Sequence, residues 1–279
     1  MAVVVRAPAA PLAPFVERLG YYSGGFTAGW ERMVPTGTVH VLVNLGAREF
    51  HWRGSGAGDG GGGGTARTRP SAVLSAASTG LLSVDLDEWR SAVFVCFRPG
   101  GAYPFIGMPV SAIDEPLLDL ESVWGLDGAL LRERLLEAPT PHAALAVVED
   151  VLLAHAVRPL EPDVAVARAV AALERGTPVA QVADRLGVSH STLLRRFTAQ
   201  VGLPPKHFAR IRRLQRLLAA ATSMAGGDGR GTDWARVAAE CGYFDQAHLI
   251  ADFRRLTGLA PSDYRPRIAD PHDPELLLC

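Results

Sequence analysis

Two short segments of this chain carry side chains whose types and spacing suit the reading of nucleic-acid base edges. If residues 190–198 are helical, His190, Ser191, Leu194, Arg195 and Thr198 share an outward face, with Arg196 at its edge. In the second segment Gln246, Ala247, His248, Ile250, Ala251 and Arg254 do the same. Arginine grips a guanine edge bidentately in a major groove, glutamine grips adenine, and an apolar side chain such as Leu194 or Ala251 suits a thymine methyl. Ser189, Thr192, Arg196, Lys206 and Arg254 stand where they could hold phosphate oxygens, contacts that set register without reading sequence.

Such faces work only if rigid elements present them, and a repeat supplies those elements. Ala183, Gly187, Leu193, Phe197, Gly202 and Pro205 recur as Ala238, Gly242, Leu249, Phe253, Gly258 and Pro261. Phe to Gly is five residues in both copies and Gly to Pro is three, while Gly to Leu is six in one and seven in the other. The odd residue falls where a turn can absorb it. Each copy has the parts of a helix-turn-helix: a small residue where helices cross, a glycine for the left-handed turn, and Ser189 or Asp245 to cap the second helix. Leu193 with Phe197, and Leu249 with Phe253, then form i,i+4 core pairs. Thr177 before Pro178 is the expected cap of the helix opening the first copy. Between the copies, residues 206–221 form an amphipathic helix bearing Lys206, Arg210, Arg212, Arg213 and Arg216, expected to face phosphate; Arg210 and Arg216 could instead be salt-bridged within the domain. The glycine-rich stretch 226–231 leads to a cap at Thr232 or Asp233.

With these residues in view, the segment resembles the tandem helix-turn-helix domain of the AraC/XylS family of transcription regulators. Gly242-Tyr243-Phe244-Asp245-Gln246, Phe253-Arg254-Arg255 and Gly258-Leu259-Ala260-Pro261-Ser262-Asp263-Tyr264-Arg265 carry the likeness most closely. By position, the resemblance implies base reading by Ser191, Leu194 and Arg195 in one unit and by Gln246, Ala247, His248 and Ala251 in the other. Leu194 and Ala251 depart from the family's usual polar or basic choice. The resemblance further implies double-stranded DNA and RNA polymerase as partners, a homodimer, and a small-molecule effector.

The front half has a different texture. Residues 38–45 alternate, with Val39, Val41, Val43 and Leu45 on one face and Thr38, His40 and Asn44 on the other, the pattern of a half-buried strand. Segments 48–52, 72–76, 81–86 and 91–97 are further strand candidates separated by Gly and Pro, which points to a sandwich or barrel. The insert 54–64 lacks the Gly-Lys-Ser/Thr ending of a phosphate-binding loop and suits a hairpin connection. Segments 127–138 and 142–157 have helical periodicity, broken at Pro139 and Pro141; they could pack on their own domain or on a partner copy. Val34-Pro35-Thr36-Gly37, Phe97-Arg98-Pro99-Gly100-Gly101-Ala102, Gly107-Met108-Pro109 and Val123-Trp124-Gly125 resemble an uncharacterised sensor-type domain found ahead of this module in bacterial family members.

The reading is thus an α+β chain. Residues 1–157 form a β-rich regulatory domain with trailing helices and 158–163 a linker. Residues 164–268 form the DNA-binding domain, with Asp163 capping its first helix, and 269–279 an acidic tail. Charge agrees: residues 1–160 hold 12 basic against 16 acidic side chains, and residues 161–268 hold 16 against 10. Arg98, Tyr103 and Phe105 are the candidate effector contacts. Arg98 could close on an acidic effector or pair with Asp85 or Glu88. No cofactor is expected. His40, His51 and Cys96 lack the spacing of a metal site, and Cys96 suits the core. Trp30, Trp52, Trp89 and Trp124 suit core or rim. With 48% hydrophobic residues, no run long enough to span a bilayer and a poor signal-peptide pattern at the start, a cytoplasmic location without a membrane partner is the expectation. The alternative is a DNA-associated enzyme in which the front domain isomerises a substrate or repairs alkylated DNA; a pure protein-interaction module is a third reading.

Overall fold

The computed structural model describes residues 2–24, 29–54, 64–78, 80–87, 89–224 and 234–264. The centre of the glycine insert, the 226–231 stretch with its expected cap, Glu88 and the acidic tail lie outside the described residues.

The front half is two antiparallel sheets. One has the order β1-β2-β9-β4-β7-β10, built from Ala2–Arg6, Val16–Ser23, Ser91–Phe97, His40–Asn44, Ala72–Ser75 and Leu117–Asp119. The other has the order β3-β8-β5-β6, built from Trp30–Met33, Leu82–Asp85, Glu49–Gly54 and Arg67–Pro70. The strands flanking the glycine insert, β5 and β6, pair antiparallel with Trp52 opposite Arg67.

Strand β4 is buried along its whole length rather than on one face. Its odd-numbered valines enter a core shared with helices, whereas Leu42 faces the second sheet with Val73, Phe94 and Cys96. The covering helices are α1 (Leu120–Trp124), α2 (Leu126–Leu136) and α3 (Pro141–Ala154). Leu131, Leu135, Leu145, Val148 and Leu152 close over the sheet, so these helices belong to the front domain. Two polar ties hold them. Arg132 of α2 donates to the carbonyls of Asn44, Leu45 and Ala47 at 3.0–3.2 Å. Glu149 of α3 accepts from Arg6 Nη2 at 2.7 Å and from the Ala9 amide at 2.6 Å. Trp52, Trp89 and Trp124 are buried, and Trp30 lies beneath the Arg53 guanidinium at 3.7 Å.

The connection to the second half is anchored. Arg158 donates to the carbonyls of Tyr103 and Ile106 and stacks over the Tyr103 ring at 4.1 Å. The second half is helical: α4 (Val164–Glu174), α5 (Val179–Leu186), α6 (His190–Val201), α7 (Pro205–Met224), α8 (Trp234–Glu240) and α9 (Gln246–Thr257). One apolar cluster unites them. Phe197 meets Phe208 of α7 edge-on at 5.4 Å, and Phe253 meets Trp234 at 5.7 Å.

Candidate nucleic-acid interface

The duplicated spacing becomes duplicated geometry. Leu193 and Phe197 are 3% and 0% exposed, and Leu249 and Phe253 are both 0%. Each α-helix pair turns at a left-handed glycine, Gly187 at φ 63° and Gly242 at φ 80°. Ser189 Oγ caps α6 by accepting from the Thr192 amide at 3.2 Å, and Asp245 Oδ1 caps α9 by accepting from the His248 amide at 2.7 Å. Both caps stand four residues before the buried leucine, so the additional residue of the second copy lies in the turn. It is Phe244, 92% exposed beside the buried Tyr243. Sequence reading placed this aromatic in the family signature without a role of its own; the one-residue interval difference was the signal of its place in the turn.

One local expectation shifts. Helix α5 starts at Val179, with Pro178 rather than Thr177 in the cap position and no side-chain cap bond. Proline's fixed φ sets the entry without help from a hydroxyl.

On α6, Ser191, Leu194 and Arg195 are exposed on one face, and on α9 Gln246, Ala247 and Ala251 are exposed likewise. His248 is different. Its ring leans toward α7, with Nε2 3.1 Å from Arg213 Nη2 and the ring edge-on to Tyr243 at 5.3 Å. Among the supposed phosphate contacts, Lys206 and Arg254 are exposed without an ion pair among the described residues. Ser189 and Thr192 are engaged in the α6 cap, their hydroxyls 2.9 Å apart. Arg196 donates to Asp163 at 2.6 Å.

The arginines of α7 turn inward instead of lining a phosphate-facing surface. Arg210 and Arg213 converge on Asp252 of α9 at 3.2 and 2.6 Å. Arg212 pairs with Glu174 at 3.1 Å, and Arg216 donates to the Glu174 carbonyl. These bonds fasten α4, α7 and α9 together: the intradomain salt bridge considered for Arg210 is present, Arg216 bonds a carbonyl instead, and the pairing of Arg212 and Arg213 is what helical periodicity did not reveal. Arg213 also stacks over Tyr243 at 4.5 Å, and burial pushes the Tyr243 phenol up to about 12, keeping it neutral.

The suggested effector contacts separate. Phe105 is 1% exposed and packs against Phe15 and Phe97 at 6.0 and 5.7 Å, a core position. Arg98 donates through Nε to the Ala13 carbonyl at 3.1 Å. Tyr103 lines a cavity of about 540 Å³ between the two halves, with Arg158, Asp163, Arg196 and Gln200.

Comparison with known proteins follows this division. Residues 182–267 match the family model of a helix-turn-helix domain, and residues 5–119 match that of a domain of unknown function (DUF6597). No curated protein matches the chain. Among solved structures, an apo variant of ToxT from Vibrio cholerae strain SCE256 is similar at 11% identity, covering 88% of this chain and 95% of that chain, with a TM-score of 0.47. Vibrio cholerae ToxT bound to (E)-4-(8-methylnaphthalen-1-yl)but-3-enoic acid is similar at 10% identity, covering 95% and 98%, with a TM-score of 0.46. Wild-type ToxT of strain SCE256 with an unsaturated fatty acid bound is similar at 10% identity, covering 94% of each chain, with a TM-score of 0.43. Likenesses this distant carry no inference about the site. The two family matches together span most of the sequence: behind a domain of unknown function stands a helix-turn-helix domain of the AraC type.

Proposed function

We propose that the chain is a DNA-binding transcription regulator of the AraC type, which places α6 and α9 in successive major-groove segments on one face of duplex DNA, one helical turn (~34 Å) apart. The observation that carries this reading is the pair of equivalent capped helices, each with an exposed face, packed on the single helix α7. Ser191, Leu194 and Arg195 read one segment; Gln246, Ala247, His248 and Ala251 read the other. Lys206, Arg254, Ser189, Thr192 and Arg196 hold the backbone, the last after leaving Asp163. Residues 1–157 act as a regulatory domain that senses a small molecule, with 158–163 as its tether and 164–268 as the reading head. RNA polymerase is the downstream partner in the cytoplasm. The exposed Leu126, Leu130 and Leu136 of α2 support a homodimer.

The enzymatic reading has less support. Burial raises the Cys241 thiol above its ordinary range, which disfavours the thiolate that alkyl transfer needs, and Cys96 is 0% exposed.

Selection of bound fragments from random duplex DNA tests the proposal. The expected outcome is two conserved half-sites about one turn apart and an affinity that falls steeply with salt. A single half-site, or salt-independent binding, would overturn it.

A further inference from the structure

The residue that the second helix-turn-helix adds to its turn is a phenylalanine that the core leaves out. Phe244 directly precedes Asp245, the cap of α9, and is 92% exposed. A hydrophobic residue at that position commonly packs against the fourth residue of the helix and fixes the entry of the chain. In the first copy Val188, which directly precedes the cap Ser189, does pack on the apolar cluster that holds Leu193, the fourth residue of α6. In the second copy Tyr243 takes that inner place beside Leu249, and Phe244 stands outside the cluster.

The backbone that carries the ring is tied on both sides. The Tyr243 amide donates to the Ala238 carbonyl at 3.0 Å, the Phe244 amide to His248 Nδ1 at 3.4 Å, and the His248 amide to Asp245 Oδ1 at 2.7 Å. Single apolar side chains are ordinary on protein surfaces. This one stands at the N-terminal end of α9, the end that a docked recognition helix brings to base edges. Its neighbours along the first two turns are largely apolar: Ala247 and Ala251 are exposed and Ile250 is half-buried, beside the exposed amide of Gln246. Over the same stretch α6 exposes His190, Ser191 and Arg195 together with Leu194, and its turn has no counterpart of Phe244.

We propose that Phe244 is a specificity-determining residue whose ring covers the C5-methyl group of a thymine in the half-site under α9. The proposal rests on the reading of α6 and α9 as major-groove helices and adds a contact to it. Thymine alone among the four bases carries an apolar group in the major groove, and phenylalanine is an apolar partner for it. Set over a guanine or cytosine edge, the same ring would strip water from O6, N7 or N4 and return no hydrogen bond. Ala247 and Ala251 add methyl groups and Gln246 suits adenine, so the half-site under α9 is rich in A·T pairs, whereas Arg195 asks for guanine under α6. The two half-sites therefore differ in chemistry, and the bound chain has one orientation on its DNA.

The test uses the full chain and the duplex it selects, with thymines replaced one at a time by uracil, which lacks only the methyl group. The half-site under α9 is the one whose base preference relaxes in Gln246→Ala. With the parent chain, uracil at one thymine of that half-site should weaken binding about fourfold, the effect of one buried methyl-sized group. Phe244→Ala should keep the parent's urea midpoint, as a surface change does. It should bind the thymine duplex at least as weakly as the parent binds the uracil duplex, and lose nothing further with uracil at that position. Phe244→Leu should keep part of the discrimination. Uracil in the half-site under α6 should affect parent and variant alike. Losses that add at every thymine, an α9 half-site without thymine, or parent-like binding of every duplex by Phe244→Ala would overturn this contact alone. Parent-like DNA binding with transcription control lost would assign the ring to a protein partner and overturn it equally. A parent chain that selects no sequence at all would overturn the reading of α6 and α9, and this contact with it.

Discussion

Arg213 of α7 donates to Asp252 of α9 at 2.6 Å, across a chain separation that includes the whole of α8. Asp252 is 6% exposed and also receives Arg210, so α9 is pinned to α7 by one buried carboxylate between two cations. Asp252→Ala should therefore destabilise the chain by about 3–5 kcal/mol, because it leaves two partly buried guanidinium groups uncompensated. Urea unfolding measures it. Adding Arg213→Met should recover part of the loss, since the cycle then removes the orphaned charge along with its partner.

Arg195→Ala removes an exposed side chain that no ion pair holds among the described residues. Stability should stay within about 0.5 kcal/mol of the parent, as for other surface changes. Specific DNA affinity should fall by about 1–3 kcal/mol with relaxed preference at one base pair. Gel-shift competition against single-base variants of the selected site reads both.

Asp163 caps α4 and also accepts from Arg196 and Gln200 at 2.6 and 2.9 Å. Burial pulls its carboxyl upward, but these hydrogen bonds outweigh that pull and hold it below the usual carboxylate range. Its contribution to stability is thus present above the ordinary carboxylate range and disappears as pH falls through the lower folded value. Asp163→Asn preserves a good cap yet releases the charge on Arg196. DNA affinity should rise a few-fold with the salt slope unchanged, because Arg196 no longer has to leave a carboxylate, whereas Arg196→Ala should reduce the slope by about one unit. An unchanged slope in Arg196→Ala would show that Arg196 makes no phosphate contact.

His40 is 2% exposed and held down to about 3, so the unfolded chain binds its proton more readily than the folded one. Stability should be flat above about pH 7 and fall as pH drops below about 6.5, losing on the order of 2 kcal/mol by about pH 5. Urea midpoints across that window give the slope. A His40→Gln variant should lack it.

Gly187 and Gly202 both adopt left-handed backbone, but a methyl group at Gly187 meets nothing within 4 Å, whereas one at Gly202 lies 2.8 Å from Val110. Gly187→Ala should cost about 1 kcal/mol in backbone strain alone. Gly202→Ala should cost clearly more, because the front domain must also give way. Thermal unfolding of the pair separates the two effects.

What the sequence determined by itself was local and periodic. Ser189, Asp245, Asp163, Gly187 and Gly242 act within a few residues of their own positions, so caps and turns are legible from spacing. The repeat doubled that information, and α6 and α9 came out as equivalent helices with Arg195 and Gln246 exposed. Tertiary structure decided what depends on distant partners. Alternation in 38–45 could not tell that helices cover one face of β4 and a second sheet the other, and a bulge between Val16 and Arg18 broke the pattern that would have marked β2. Arginine on an amphipathic helix looks the same whether it faces solvent or a carboxylate. Only the packing of α9 against α7 placed Asp252 beneath Arg210 and Arg213, and only the docking of the α6–α7 turn on the sheets closed a cavity over Thr38 and His40. Those contacts join residues far apart in the chain, and no one-dimensional period records them.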